Sequence, residues 1–421
     1  MSVKICTHQA AETIGGNCVE IVSEEGRRLI LDAGRPLELE TRQKAVPPPS
    51  LDVEGDIEGL LISHAHADHW GLLPELPSQW PVHCGRATAT LLRLNPGYGP
   101  LTRPLNIWPS EPGASVQLGP FTVRPYLIDH SIFDAYALQI DVDGRRVFYS
   151  GDFRGHGRKG VLTRRLVENP PAGVDALIME GTNLGTAQAP PPATEEDLEE
   201  RFGDLFRKTK GRVFVTWSSS NIDRMVTIYK AARRAGRVLV PDLYCSAVWR
   251  EMATLTRGLP DIERGSGISA VVTTKMKRVL AGLDYEDMVP GLVEKRAAIP
   301  ARSLEKRPGL WVAMIRPGLV SGYRGQVIPS ADDAWVWSQW RGYLDESRIT
   351  EPLRELIEFM SPCGGPIYIH TSGHASPALL RDFATALNPK MLVPIHGEAW
   401  REHQHDFPNM RILANGQWLE I

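Results

Sequence analysis

Cysteine is scarce in this chain: five residues among 421, Cys6, Cys18, Cys84, Cys245 and Cys363, an odd set with no CxxC spacing. That usage argues against a disulfide framework and against a thiolate metal site, and it fits a reducing compartment. Long apolar runs are missing too. No window approaches the roughly 18 uncharged apolar residues of a membrane span, although the apolar fraction, 42%, is ordinary. The first residues, MSVKICTHQA, lack the apolar core and cleavage pattern of a secretory leader, so the expected location is the cytoplasm, away from any membrane. Nor does charge of one sign dominate. With 47 basic and 50 acidic residues and a net charge of -3, the composition neither demands nor excludes a nucleic-acid partner. Any phosphate-binding surface must be a local concentration of basic side chains, with Arg224, Lys275, Lys277, Arg278 and Arg316 as candidates, each of which taken alone is more simply a solvated charge. No internal repeat is visible, and low complexity is confined to two runs of three prolines.

What is present is a series of short apolar runs that end in reactive residues. RRLILDAG, GLLISHAH, FTVRPYLIDH, YALQIDV, RRVFYSGDF and DALIMEGT read as strands, with Asp143-Gly144 as a hairpin turn. Asp32, His64, His130, Asp152 and Glu180 thereby fall where strands give way to loops, the usual mounting for an active site. The Pro-rich AQAPPPAT, 187 to 194, interrupts this pattern. TEEDLEERFGDLFRKTKG follows and reads as a helix opened by Thr194 and three acidic residues and stopped by Gly211. GRVFVTW, IDRMVTIYKAARRAG and RVLVPD then give a β-α-β alternation, so a second α/β unit begins near residue 195. From PIYIHTSGHAS at 366 the chain returns to strand ends bearing histidines, passes MLVPIHGE, and closes on a hairpin, RILANGQWLEI, turning at Asn415-Gly416. Two packed cores, or one core with a large insertion, suit a chain of this length.

SHAHADHW, at 63 to 70, carries three histidines and an aspartate directly after an apolar run. His64 and His66 are two apart on an extended segment, point to the same side, and can share one metal ion. Asp68 and His69 lie in the turn beyond and reach a second. His130 can complete the first site, Asp152 can bridge, and His396 can join Asp68 and His69. Imidazole and carboxylate without thiolate suit zinc first and manganese second. Two ions about 3.5 to 4 Å apart would hold a bridging hydroxide, from a water acidified to a pKa of about 7, and clamp an attacked phosphoryl group. The plainer alternative is a histidine-rich loop satisfied by hydrogen bonds.

These residues resemble the metallo-β-lactamase superfamily and, within it, the β-CASP nucleases of the bacterial RNase J branch. HAHADH is similar to the HxHxDH motif, and DHSIFDAYAL and YSGDFR are similar to the segments that supply the next histidine and the bridging aspartate. Glu180 in LIMEGTN, His374 in HTSGHAS and His396 in PIHGE resemble the β-CASP motifs A, B and C, and WSSSNIDR resembles the stretch that opens the inserted domain. The resemblance implies an α/β fold, an αββα sandwich over 1–190, an inserted α/β β-CASP domain over 191–364, and the sandwich resumed over 365–421. It implies metal ligation by His64, His66, Asp68, His69, His130, Asp152 and His396. Asp32 would orient the metal-binding loop, Ser372 and His374 would contact the scissile phosphate, and Glu180 would be the acidic residue of motif A. Gly373, Ser376 and Ser220 would bind a terminal 5′ phosphate, with His374 at the scissile one. Arg316, read from the residues alone, is a further candidate to hold a phosphate or else a structural ion-pair partner.

The implied activity is that of a two-metal phosphodiesterase on RNA, a 5′-to-3′ exoribonuclease with endonuclease cleavage also allowed. Rival readings are a β-CASP DNA nuclease, a small ester or thioester hydrolase, and an inactive nucleic-acid-binding subunit. Against the family pattern, no extra C-terminal domain is expected, and no GSQGE-type stretch is recognisable, where WVAMIRPGLVSGY stands instead. Trp335, Trp337 and Trp340 are candidates for stacking on bases, with at least two of the three expected in the core.

Overall fold

Period-2 alternation along the strands decides the architecture of the first of two compact units, Met1–Pro192 with Gly373–Ile421. The computed structural model describes residues 2–39, 43–97, 101, 103–185 and 192–421, so most of the Pro-rich 187–194 stretch lies outside the described residues. A seven-stranded sheet runs in the order Trp418–Glu420, Lys4–Gln9, Cys18–Val22, Arg28–Leu31, Gly59–Leu61, Val82–Cys84, Leu105–Ile107. A six-stranded sheet runs Met391–Ile395, Ala176–Glu180, Arg145–Tyr149, Ala135–Val142, Phe121–Ile128, Val116–Leu118.

Ile5, Val19, Ile21, Leu29, Leu31 and Leu61 of the first sheet share one core with Val123, Leu138, Ile140, Val147, Ile178 and Val393 of the second. Successive side chains point to opposite faces, so their neighbours must be covered from outside. Cys18, Ile30, Leu60 and Val82 meet Trp70, Leu73, Ala89 and Leu92, the last two from the helix Arg86–Arg93. Phe148, Leu177, Met179 and Leu392 meet Leu166, Leu380, Phe383 and Leu387, from the helices Gly160–Glu168 and Pro377–Leu387. The order of layers is the expected αββα.

The second unit, Ala193–Ser372, is built on a parallel five-stranded sheet in the order Val238–Val240, Trp311–Met314, Val213–Thr216, Ala334–Trp337, Ile367–Tyr368. The helix Glu195–Lys208 is capped as the sequence indicates. Thr194 accepts from Asp197 N, and Asp197 accepts in return from Thr194 N at 2.8 Å. It ends at Lys208, earlier than Gly211, because Thr209 is already extended. The IDRMVTIYKAARRAG helix spans Ile222–Arg234.

Two local expectations change. The closing hairpin does not form. Trp418–Glu420 pairs antiparallel with Lys4–Cys6, while Met410 bridges Leu392 and Arg411 N donates to Leu392 O, so each arm takes a partner in a different sheet. The expected division at 364/365 also differs from the division between compact units at 372/373. Ile367–Tyr368 pairs with Val336–Trp337 and so stays with the second sheet.

Candidate metal centre

The strand Gly59–Leu61 delivers His64 three residues beyond its end, and the short helix Ala67–Trp70 turns Asp68 and His69 back toward it. That turn packs tightly on the Asp32 loop. Asn17 N donates to Asp68 O at 2.9 Å and Ala33 N to His69 O at 2.8 Å. Gly34 is required there, since a Cβ would stand 1.7 Å from Asp68 O. Gly151, in YSGDF, adopts φ +55° beside Tyr136 O, and so delivers Asp152 from the end of Arg145–Tyr149. His130 follows Phe121–Ile128, and His396 follows Met391–Ile395 in a left-handed conformation, φ 49°.

Seven side chains thereby converge. Ligand atoms of His64, His66 and His130 lie within 4.8 Å of one another, as do those of Asp68, His69, Asp152 and His396. His66 Nδ1 is 3.1 Å from both His64 Nε2 and His130 Nε2. Asp152 Oδ2 stands 3.0 Å from His69 Nε2, 3.7 Å from His64 Nε2 and 3.9 Å from His396 Nε2, in contact with both groups.

Burial and mutual repulsion hold the His64 and His130 imidazoles well below their usual pKa, and His66 down to about 4. Neutral rings keep the lone pairs a cation needs. His69 behaves oppositely, because the facing carboxylates of Asp152, Asp32 and Asp68 outweigh its burial and raise it well above the ordinary value. Burial works against the Asp68 charge, but His69 and His396 hold its carboxyl below the usual range.

A layer of hydrogen bonds fixes these rings. Asp32, buried at φ 58°, accepts from Ser63 N, Ser63 Oγ and Tyr149 OH, and contacts His69 Nδ1. Ser63 Oγ also lies 3.0 Å from His64 Nδ1, leaving Nε2 to face the cluster. Thr182 Oγ1 does the same for His396, 2.7 Å from its Nδ1. Sequence reasoning missed Tyr149, Ser63 and Thr182. Their signal was positional, each lying within three residues of a residue already singled out.

A third group adjoins: Asp152, Glu180, His374 and His396. His374 Nδ1 is 3.2 Å from both Glu180 carboxylate oxygens, and Glu180 is itself pinned by Phe153 N and Thr182 N. Burial opposes the imidazolium, yet Glu180 and Asp152 raise His374 to about 9. Gly373 lies against Ser131 and His130, where a Cβ would meet Ser131 Oγ at 3.0 Å. Ser376 caps the helix Pro377–Leu387, accepting from Leu379 N at 3.2 Å.

Ser220, Arg316 and Ser372 belong to the second unit. Ser220 Oγ is 2.8 Å from Ser218 Oγ, just before the helix Ile222–Arg234. Arg316 Nε donates to the buried Asp242 at 2.7 Å, an arrangement of a structural ion pair. Arg224, a candidate surface cation in the sequence, is fully buried and held by Glu195 and Ser338.

An αββα sandwich with this histidine and aspartate cluster at its strand ends defines a class. The chain matches the family described as Beta-lactamase superfamily domain over residues 27–239, just over half its length, and belongs to that superfamily. It is similar to Ribonuclease J of Sinorhizobium meliloti, 26% identical over 384 residues covering 87% of this chain and 63% of that protein. Ribonuclease J of Mycobacterium tuberculosis is 26% identical over 407 residues, 92% of this chain and 67% of that one. The chain therefore spans about two thirds or less of the length of these relatives. Among solved structures, a protein of unknown function from Enterococcus faecalis matches over 100% of both chains with a TM-score of 0.76 at 18% identity, which shows a shared fold.

Proposed function

We propose that this chain is a metal-dependent phosphodiesterase acting on RNA, a 5′-to-3′ exoribonuclease able also to cleave internally, working with two divalent ions, zinc before manganese. The observation that carries this reading is the meeting of two adjacent ligand groups at Asp152. The donor set suits such ions. Imidazoles and carboxylates converge without thiolate, and Asp152 Oδ1 is buried with no hydrogen-bond partner among the described residues, a costly orphan that a cation would satisfy. His64, His66 and His130 would hold one ion, Asp68, His69 and His396 the other, with Asp152 serving both. Such ions, when bound, acidify a water and neutralise charge on an attacked phosphate.

The chain's own residues have separable tasks. Asp32 holds His69 and the Ser63 backbone in place. His374, oriented by Glu180, would give its proton to the departing oxygen, and Gly373 and Ser376 would face phosphate. RNA as substrate is supported by the similarity to proteins named Ribonuclease J. Among the described residues no helix is long and apolar enough to cross a membrane.

The test is incubation of metal-replete protein with matched RNA and DNA oligonucleotides bearing a 5′ monophosphate or a 5′ hydroxyl, with a His64→Ala Asp68→Ala variant as control. Release of mononucleotides from 5′-phosphorylated RNA, absent in the variant, is the expected result. Equal or faster cleavage of DNA would transfer the assignment to DNA, and no cleavage of any polymer would overturn it.

A further inference from the structure

We propose that the second unit carries a base-stacking platform for single-stranded RNA centred on Trp340, a proposal that rests on the ribonuclease reading and adds to it a grip on bases. The stretch AWVWSQWRGY, 334 to 343, places three indoles close in sequence but not in one environment. Trp335 and Trp337 are 1% and 2% exposed, and their Nε1 groups donate to Thr216 Oγ1 and Trp340 O. These two are core. Trp340 and Tyr343 are each 50% exposed, their rings 5.5 Å apart and nearly perpendicular.

The exposed indole is seated, not adrift. A Cβ on Gly342 would stand 2.3 Å from Trp340 Cη2, so only glycine at 342 lets the ring lie where it does. Arginines border the aromatic surface. The Arg348 guanidinium is 5.0 Å from the Trp340 ring centre, Arg341 is 5.8 Å from that of Tyr368, and Arg201 donates to Tyr368 O at 3.0 Å. All three arginines are exposed, and none is ion-paired with a carboxylate among the described residues.

Exposed rings flanked by arginines without acidic partners match one kind of ligand best. Base faces stack on aromatic rings whatever their sequence, guanidinium planes add cation–π contact and meet phosphates, and only a single strand offers its base faces. An acidic protein segment would use the arginines and leave the indole in water.

The experiment is equilibrium binding, by fluorescence anisotropy, of a short labelled oligouridylate and of its abasic counterpart. It uses the full chain in an Asp68→Ala background, so that the strand is not consumed. Trp340→Ala should weaken the base-bearing strand about tenfold and leave the abasic one unchanged, while Trp340→Phe should retain most of the affinity. Gly342→Ala, which displaces the ring without removing it, should reproduce part of the loss. Equal binding by parent and Trp340→Ala, equal losses on both strands, or no binding by the parent would each overturn the platform. Cleavage of RNA by the unmodified chain is read separately, so the platform can fall while the ribonuclease reading stands.

Discussion

Asp32 Oδ2 lies 2.7 Å from His69 Nδ1 and accepts from Tyr149 OH at 2.6 Å, so one buried carboxylate oxygen fixes the orientation of a candidate ligand ring. Its second oxygen accepts from Ser63 N, which ties the same residue to the peptide just before His64. Replacement by asparagine keeps the size but puts an amide where Ser63 Oγ, Tyr149 OH and His69 Nδ1 converge on one oxygen. Asp32→Asn is therefore expected to lower metal affinity by about 10- to 100-fold, the usual cost of losing a partner behind a ligand. Competition against a chromogenic chelator measures this directly, and unchanged affinity would refute the orienting role.

His374 and Glu180 predict a different phenotype. They touch the ligand groups through Asp152 but pair chiefly with each other, at 3.2 Å. His374→Ala should reduce kcat by about 10²- to 10⁴-fold, the range for loss of a positioned proton donor, while bound metal, counted by elemental analysis, stays near that of the parent. Loss of metal in parallel with activity would instead make His374 a ligand.

Much of this centre was legible because it follows from periodicity. Apolar runs ending at Asp32, His64, His130, Asp152 and Glu180 became strands that deliver those residues to one end of the sandwich. What escaped was whatever depends on a distant partner. Tyr149 reads as one more apolar strand residue until its hydroxyl meets Asp32. Arg224 reads as a helix-surface cation until Glu195 buries it, and Asn415-Gly416 reads as a hairpin until Lys4–Cys6 claims one arm. Trp340 is separated from Trp335 and Trp337 only by the sheet's end, which no local pattern marks.

Chelation should destabilise the chain as well as silence it. Without ions, the nitrogens of His64, His66 and His130 stay crowded against one another and the orphaned Asp152 Oδ1 stays buried. A ligand bound only by the folded state adds stability by RT ln(1 + [L]/Kd), about 2.7 kcal/mol at a hundredfold excess over Kd. Melting of apo and zinc-loaded protein should therefore differ by several degrees, with the gap closing in the His64→Ala Asp68→Ala variant. A gap that persists in that variant would place the stabilising metal elsewhere.

Asp134 supplies a pH signature independent of the metal centre. Its carboxylate accepts from Ala87 N, Thr88 N and Thr88 Oγ1, holding the start of the helix Arg86–Arg93. Burial nevertheless outweighs those bonds and raises its pKa to about 7. An unfolded aspartate titrates near 3.9. Between those values the folded chain binds the extra proton, so this group's contribution to stability is greatest near pH 4 and declines as pH rises toward about 7. Asp134→Asn removes the titration but not the side-chain volume. The difference in melting temperature between parent and variant should therefore shift against the parent as pH rises through this window. A difference that stays flat would mean that the three donors at the helix start keep the carboxylate ionised throughout.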